Sequence, residues 1–424
     1  MAAVTESQIA IVKATAPVLQ EHGVAITTVF YDNLLRENPD LHNVFSNSSQ
    51  ATGRQQRALA GAVLGYATYI DDLPKLAHAV ERIAHKHVSL QVTPAQYDVV
   101  GKYLIQAIGQ VLGAAATPEI VDAWVAAYGA LAAVFINREG EMYKANAADH
   151  WTGWRKFRIV RKQPESSVIT SFYLAPVDGT PLPKFYPGQY VSLQVHVPEL
   201  GYLQSRQYSL SEGPTPAGEY YRISVKKEEA DATAGVSVPG LISNLLHARY
   251  AVGDEVELSH PQGEFYVDPA DVSKEGVPAV LISAGVGATP LKAILDSLTT
   301  TTRGQAPAVK RPVSWIHSAR SSAMQPFGDA VRQICRENEN VTANVFLRNL
   351  GPDDKAGVHY EFGDMRLDLA KLDAQRDLFV GDARAEYFVC GPEPFMVDVR
   401  AALEAMGVER SRVFLELFAT GDVA

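Results

Sequence analysis

The chain has 424 residues, 47% hydrophobic and 20% charged, with a formal net charge of −10. That length exceeds one ordinary core and implies two or three domains. The negative charge argues against nucleic acid or an anionic membrane as the main partner. Two cysteines, Cys335 and Cys390, exclude a disulfide framework or a cysteine-rich zinc site and fit a reducing compartment. The N-terminus shows no basic segment followed by an apolar core. No apolar run reaches the roughly 18 residues of a bilayer span. The expectation is therefore a cytoplasmic protein with no integral membrane segment.

The first 146 residues read as all-helical, with no strand pattern. Thr5 precedes a periodic run through Ile9, Val12, Ala16 and Leu19, and Gln8 sits where a capping-box partner belongs. Asn38-Pro39 breaks the second helix. Thr93-Pro94 opens another, with Gln96 as its capping partner, and Thr117-Pro118-Glu119 opens a long last helix to about Ala147. Five histidines fall in this part: His22, His42, His78, His85 and His87. Leu76, Val80, Ile83, Ala84 and His87 share one apolar stripe at i, i+4, i+7, i+8 and i+11. His78 and His85 lie on another face with Glu81 nearby, so His87 is expected to face inward and His85 solvent. An inward histidine reads either as a satisfied core residue or as a metal ligand.

The segment from Ala147 to Trp154 (AADHWTGW) reads as a linker. Beyond it come short alternating runs, among them 157–160, 168–172 and 190–193, punctuated by Pro and Gly as in Tyr186-Pro187-Gly188. This is small-barrel or sandwich composition. From about Val277, buried-type strands at 279–283, 313–317 and 387–390 alternate with helical stretches, as in an open α/β sheet.

Three motifs stand out. The strand at 279–283 runs into Gly285-Val286-Gly287-Ala288-Thr289-Pro290 and a helix. Such a turn lets backbone approach a pyrophosphate at a helix N-terminus, and alone it reads equally as a tight turn. Upstream lies Arg206-Gln207-Tyr208-Ser209. Here an arginine suits a phosphate, a tyrosine a flavin ring, and a serine a ring nitrogen. Downstream lies Cys390-Gly391-Pro392, at the carboxyl end of a strand where open α/β sheets bind ligands. Tyr190 reads as a sheet aromatic or a flavin contact. Gly240 to Asn244 reads as a plain helix start or a phosphate cradle, and Lys226 and Lys227 read as solvated strand residues.

RxYS, GVGxTP and CGP, in this order and spacing, resemble the ferredoxin-NADP reductase family. The resemblance implies that Tyr190, Arg206, Gln207, Tyr208 and Ser209 contact FAD. It implies that Gly285, Val286, Gly287, Ala288, Thr289 and Pro290 hold the nucleotide. It also implies that Glu416, Leu417, Phe418, Ala419 and Thr420 shield the flavin face.

The helical part adds Phe30-Tyr31-Asp32-Asn33-Leu34, Asn38-Pro39 leading to Phe45, Gln55 and Leu59 four apart, then His87, Tyr97 and Glu139. This set resembles a globin, and the whole chain resembles the flavohaemoglobins. The implied architecture is an all-α globin at 1–147, an antiparallel β-barrel FAD domain at 153–270 and an open parallel α/β nicotinamide domain at 277–424. The implied cofactors are haem b, FAD and NAD(P)H. By resemblance, His87 is the proximal iron ligand, with Tyr97 and Glu139 behind it. Tyr31 and Gln55 face dioxygen, and Leu59 and Phe45 shape a dry pocket.

The function implied is that of a monomeric nitric oxide dioxygenase. NAD(P)H reduces FAD, FAD reduces haem, and oxygenated haem converts nitric oxide to nitrate, with dioxygen and nitric oxide as the partners. A peroxide or haem reductase, an oxygen or nitric oxide sensor or carrier, and a flavin reductase fused to a haem-free helical module are the alternatives. Arg320 suits a 2′-phosphate, while Ser318 and Ser321 suit a ribose, which leaves NADH and NADPH both open.

Overall fold

The computed structural model describes residues 4–214, 217–230, 239–299 and 309–418. They pack as two compact units. One comprises residues 4–155 together with Ser192–Arg206, and the other Lys156–Val191 with the described part of 207–418.

The first unit is built from seven α-helices: α1 (Glu6–Ala14), α2 (Ala16–Glu37), α3 (Asn47–Ala51), α4 (Arg54–Tyr69), α5 (Ala77–Ser89), α6 (Pro94–Leu112) and α7 (Pro118–Ala148). Local chemistry sets several ends. The Gln8 side chain accepts from the Thr5 amide at 3.0 Å, and Gln96 accepts from the Thr93 amide at 2.8 Å. The single run expected through Leu19 is instead two helices. Pro17 cannot donate an amide within a helix, so the chain pauses at Thr15 and α2 starts afresh at Ala16. Gly23 on α2 lets α4 approach closely, since a Cβ there would lie 3.3 Å from that of Ala60.

Helix α7 is long and apolar enough, by length and composition, to cross a membrane. Its contiguous apolar stretch, bounded by Asp122 and Asn137, is too short to mark it in the sequence. In the fold it packs against α1, α5 and α6 and buries the charged Glu139.

The second unit carries two six-stranded sheets. The first has β1 (Arg155–Pro164), β2 (Ile169–Pro176), β3 (Tyr190–Val197), β4 (Tyr202–Ser209), β5 (Tyr221–Lys226) and β6 (Glu255–Leu258), in the order β4-β3-β6-β1-β2-β5. It is antiparallel and barrel-like, with β2 pairing β1 and β5. Strands β3 and β4 run across the boundary between the units, so their linked ends belong with the helices. Helix α8 (Leu241–Arg249) follows β5.

The second sheet is parallel: β7 (Ala279–Ala284), β8 (Val313–Ala319), β9 (Val341–Leu347), β10 (Phe362–Gly363), β11 (Glu386–Cys390) and β12 (Val413–Glu416), in the order β10-β9-β8-β7-β11-β12. Helices α9 (Ala288–Leu298) and α10 (Gly328–Glu337) cover one face, and α11 (Glu393–Ala405) the other. The strand order reverses between β7 and β11, which opens a crevice at their carboxyl ends. This is the three-part fold class expected: a helical bundle, an antiparallel barrel-like sheet and an open parallel sheet.

Candidate functional site

Helix α5 delivers His87 near its C-terminus, α6 delivers Tyr97 in its first turn, and α7 delivers Glu139 from its middle. His87 Nδ1 lies 2.8 Å from the Tyr97 hydroxyl and 2.8 Å from Glu139 Oε1. The Tyr97 hydroxyl donates to the same carboxylate oxygen at 2.5 Å. An ionised carboxylate can only accept, so Nδ1 carries the imidazole proton and Nε2 keeps its lone pair. Nε2 makes no hydrogen bond among the described residues. Phe135 packs on both rings, at 5.8 Å from that of His87 and 6.3 Å from that of Tyr97. Burial, and then Glu139, raise the Tyr97 phenol far above its ordinary range, so it stays a donor. Among the described residues no three His, Cys, Asp or Glu side chains group to hold a metal ion. A single imidazole donor suits a metal whose other ligands come from a macrocycle.

The outward course expected for His85 is corrected. Its side chain is 15% exposed, against 32% for His87. His85 lies 3.3 Å from Glu81, which Arg138 of α7 holds with two hydrogen bonds, and this ion-paired cluster draws it in.

Tyr31 on α2 is buried, with the Phe45 ring edge-on at 5.4 Å. Gln55, at the start of α4, hydrogen-bonds the Tyr31 side chain. Burial pushes the phenol well up and outweighs the lowering by Gln55, so Tyr31 stays neutral and can donate. Leu59 and Phe45 border the same apolar cluster.

In the second unit, Tyr190 heads β3 and exchanges two backbone hydrogen bonds with Gln262, at 2.8 and 2.9 Å. Gly263, at φ +118°, leaves room for the Tyr190 ring, which a Cβ would meet at 3.1 Å. Gln207, Tyr208 and Ser209 end β4. The Ser209 hydroxyl is buried without a hydrogen-bond partner among the described residues. Arg206, on the first unit's side of that strand, donates to Ser205 O and Ser48 Oγ, each at 2.7 Å.

The other two motifs touch each other. Gly285 takes φ +55°, and a Cβ on Gly287 would lie 2.2 Å from Cys390 O. Only glycine lets the GVG turn pack on the Cys390-Gly391 peptide. Ala288, Thr289 and Pro290 form the buried first turn of α9, where the Thr289 hydroxyl donates to Val286 O at 3.0 Å. Cys390 pairs in register with Ser283 on β7 and Glu416 on β12. Burial, and then Glu416, push its thiol well up. Leu417 is half-buried, Phe418 exposed, and Ala419 and Thr420 lie outside the described residues.

Residues 28–135 match the globin family model. The chain is 47% identical to a flavohemoprotein of Bordetella pertussis over 417 residues, 98% of each chain. It superposes on the crystal structure of a Malassezia yamatoensis flavohemoglobin with bound FAD and heme at a TM-score of 0.83. That match has 30% identity and covers 99% of this chain and all of the other. The chain belongs to the flavohemoprotein family. A further match, at 34% identity and a TM-score of 0.51, is to the flavohem-like FAD/NAD-binding domain of nitric oxide dioxygenase from Vibrio cholerae. It covers 62% of this chain and 97% of that one.

Membership in the flavohemoproteins makes the chain an oxidoreductase. One site residue was missed by the sequence reading. His317, taken there only as a strand end, is fully buried beside Ser283, with Nδ1 2.8 Å from the Ser283 hydroxyl and Nε2 unpartnered among the described residues. Burial pulls its pKa down to about 4. The available signal was a row: Cys390, Ser283 and His317 occupy matching ends of three adjacent strands in this flavohemoprotein.

Proposed function

We propose that the chain is an NAD(P)H-dependent nitric oxide dioxygenase, a cytoplasmic monomer whose diffusible partners are dioxygen and nitric oxide. The carrying observation is the His87–Tyr97–Glu139 network, which leaves one imidazole lone pair beside buried aromatics. The family's reductase half and the nitric oxide dioxygenase domain from Vibrio cholerae support the same reading. We assign 1–147 to haem, 153–270 to FAD and 277–424 to NAD(P)H.

The residues fit these groups. A lone, oriented imidazole suits haem iron. The unpartnered, buried Ser209 hydroxyl suits a flavin ring atom. The glycine turn before α9 suits a pyrophosphate. When bound, haem b supplies iron at which dioxygen and nitric oxide combine, FAD divides the hydride's electron pair, and NAD(P)H donates the hydride.

The chain's own residues do the rest. Glu139 accepts the hydrogen bond from Nδ1–H and would make His87 a stronger donor to iron. Tyr97 shares that carboxylate and fixes the ring plane. Tyr31 keeps its proton and donates toward dioxygen, with Gln55 orienting it, while Phe45 and Leu59 exclude water. Arg206 would pair with a flavin phosphate, Tyr190, Gln207 and Tyr208 would line the flavin ring, and Glu416 to Phe418 would shield it. Gly285 to Pro290 hold the nucleotide.

The test is nitric oxide consumption by purified holoprotein with dioxygen and NAD(P)H. Turnover that needs all three supports the reading, and none overturns it. His87→Ala should abolish the five-coordinate histidine-ligated haem spectrum, and a variant that keeps it refutes the ligand assignment.

A further inference from the structure

Strand β4 carries more than the flavin motif. Two residues before Arg206, Gln204 is 1% exposed and turns both ends of its amide to one corner of the helical unit. Its Nε2 donates to His42 O at 2.7 Å and Leu203 O at 2.9 Å, with a longer contact of 3.4 Å to Phe45 O. Its Oε1 accepts from the Asn47 amide at 2.9 Å, the first residue of α3. Beside it, Asn43 Oδ1 accepts from the Leu203 amide at 2.8 Å, and the His42 ring stacks on Tyr202 at 4.8 Å.

That corner has little order of its own. It is a 3₁₀ turn, Pro39–Asn43, followed by two residues whose amides both return to Leu41 O. Short 3₁₀ turns have poor hydrogen-bond geometry and few partners. Yet the corner holds Phe45, whose ring meets Tyr31. Removing this buried side chain would strand the His42 carbonyl and the Asn47 amide, so the corner is tied to β4.

We propose that Gln204 is a positioning residue for the Tyr31 pocket. From the strand that bears Arg206 to Ser209, it fixes residues 42–47, and through them the Phe45 ring against Tyr31. The strand assigned to the flavin thereby sets the geometry on the dioxygen side. This rests on the haem reading of His87 and Tyr31 given above.

The experiment uses full-length holoprotein carrying Gln204→Ala or Gln204→Glu. Glutamate keeps the volume but removes the donor. Three readouts are taken: deuterium exchange of residues 42–51, the C–O stretch of the carbon monoxide complex, and the rate of flavin reduction by NADH or NADPH. We expect both variants to exchange the corner roughly tenfold faster, the cost of one or two buried hydrogen bonds. The C–O band should shift or split, and flavin reduction should stay within about twofold of wild type.

Wild-type exchange in Gln204→Ala overturns the proposal. So does faster exchange with an unmoved C–O band, which would make Gln204 merely structural, and so does wild-type behaviour in Gln204→Glu. If Gln204→Ala does not fold, Asn43→Ala must show the same direction at smaller size, or the proposal fails. A wild-type chain without a Soret band refutes the haem reading, whereas the exchange arm judges the hold on the corner by itself.

Discussion

His87, Tyr97 and Glu139 depend on one another for their protonation. The carboxylate fixes which imidazole nitrogen carries the proton, and the tyrosine takes up the carboxylate's remaining demand. Neutralising the acceptor should weaken the ligand without removing it. Glu139→Gln is expected to lower nitric oxide turnover about 10–100-fold, the usual scale for partners behind a metal ligand. It should also lower the iron–histidine stretching frequency, read by resonance Raman. An unchanged frequency would show that the carboxylate does not tune the imidazole. Tyr31→Phe removes a neutral donor and should speed dioxygen release roughly tenfold, measured by flash photolysis or stopped flow. Helical spacing in the sequence put His87 on the apolar stripe, whereas Tyr97 and Glu139 were implied only by the resemblance to globins. The inward course of His85 was not legible, because the Arg138–Glu81 pairing that draws it in spans two helices distant in sequence.

Among elements, the decisive contact is between the turn after β7 and the end of β11. Gly287 has no room for a methyl group, since the Cys390 carbonyl oxygen occupies its place. Gly287→Ala should therefore move the turn. The expected cost is about 1–3 kcal/mol of stability, typical of overpacking, with a raised KM for the pyridine nucleotide. Steady-state kinetics and urea unfolding check both, and a variant with unchanged KM would show that the turn does not hold the nucleotide. Helix starts at Thr93 and Thr117, and the strands 279–283, 313–317 and 387–390, could be read because caps and apolar runs are local signals. The break at Thr15 was missed because the apolar period continues across Pro17. The two-residue β10 and four-residue β6 are too short to show a period. The contact between GVG and CGP was not legible, since it depends on strand order rather than spacing.

For the whole molecule, pH is the simplest lever. His317 is neutral in the fold, with a pKa of about 4 against an ordinary value near 6.5. Above about pH 6.5 neither state binds the proton, and the stability is intact. Between 6.5 and 4 the unfolded chain takes up a proton that the folded chain refuses, so stability falls as pH falls. At pH 5 this amounts to about 2 kcal/mol. His317→Gln should lose that part of the acid slope, seen as a smaller drop in the urea midpoint between pH 7 and pH 5. Equal slopes would show that His317 titrates normally.

In the proposed reaction, electrons from a nicotinamide reach an iron on His87 and turn nitric oxide and dioxygen into nitrate. Nitric oxide, dioxygen and one electron balance to one nitrate, so a two-electron hydride must support two. The direct measurement is nitrate formed against NAD(P)H oxidised by the holoprotein, with both gases supplied. The expected yield is two nitrates per NAD(P)H, lost in His87→Ala. NAD(P)H oxidation without nitrate, or nitrate undiminished in His87→Ala, would contradict it.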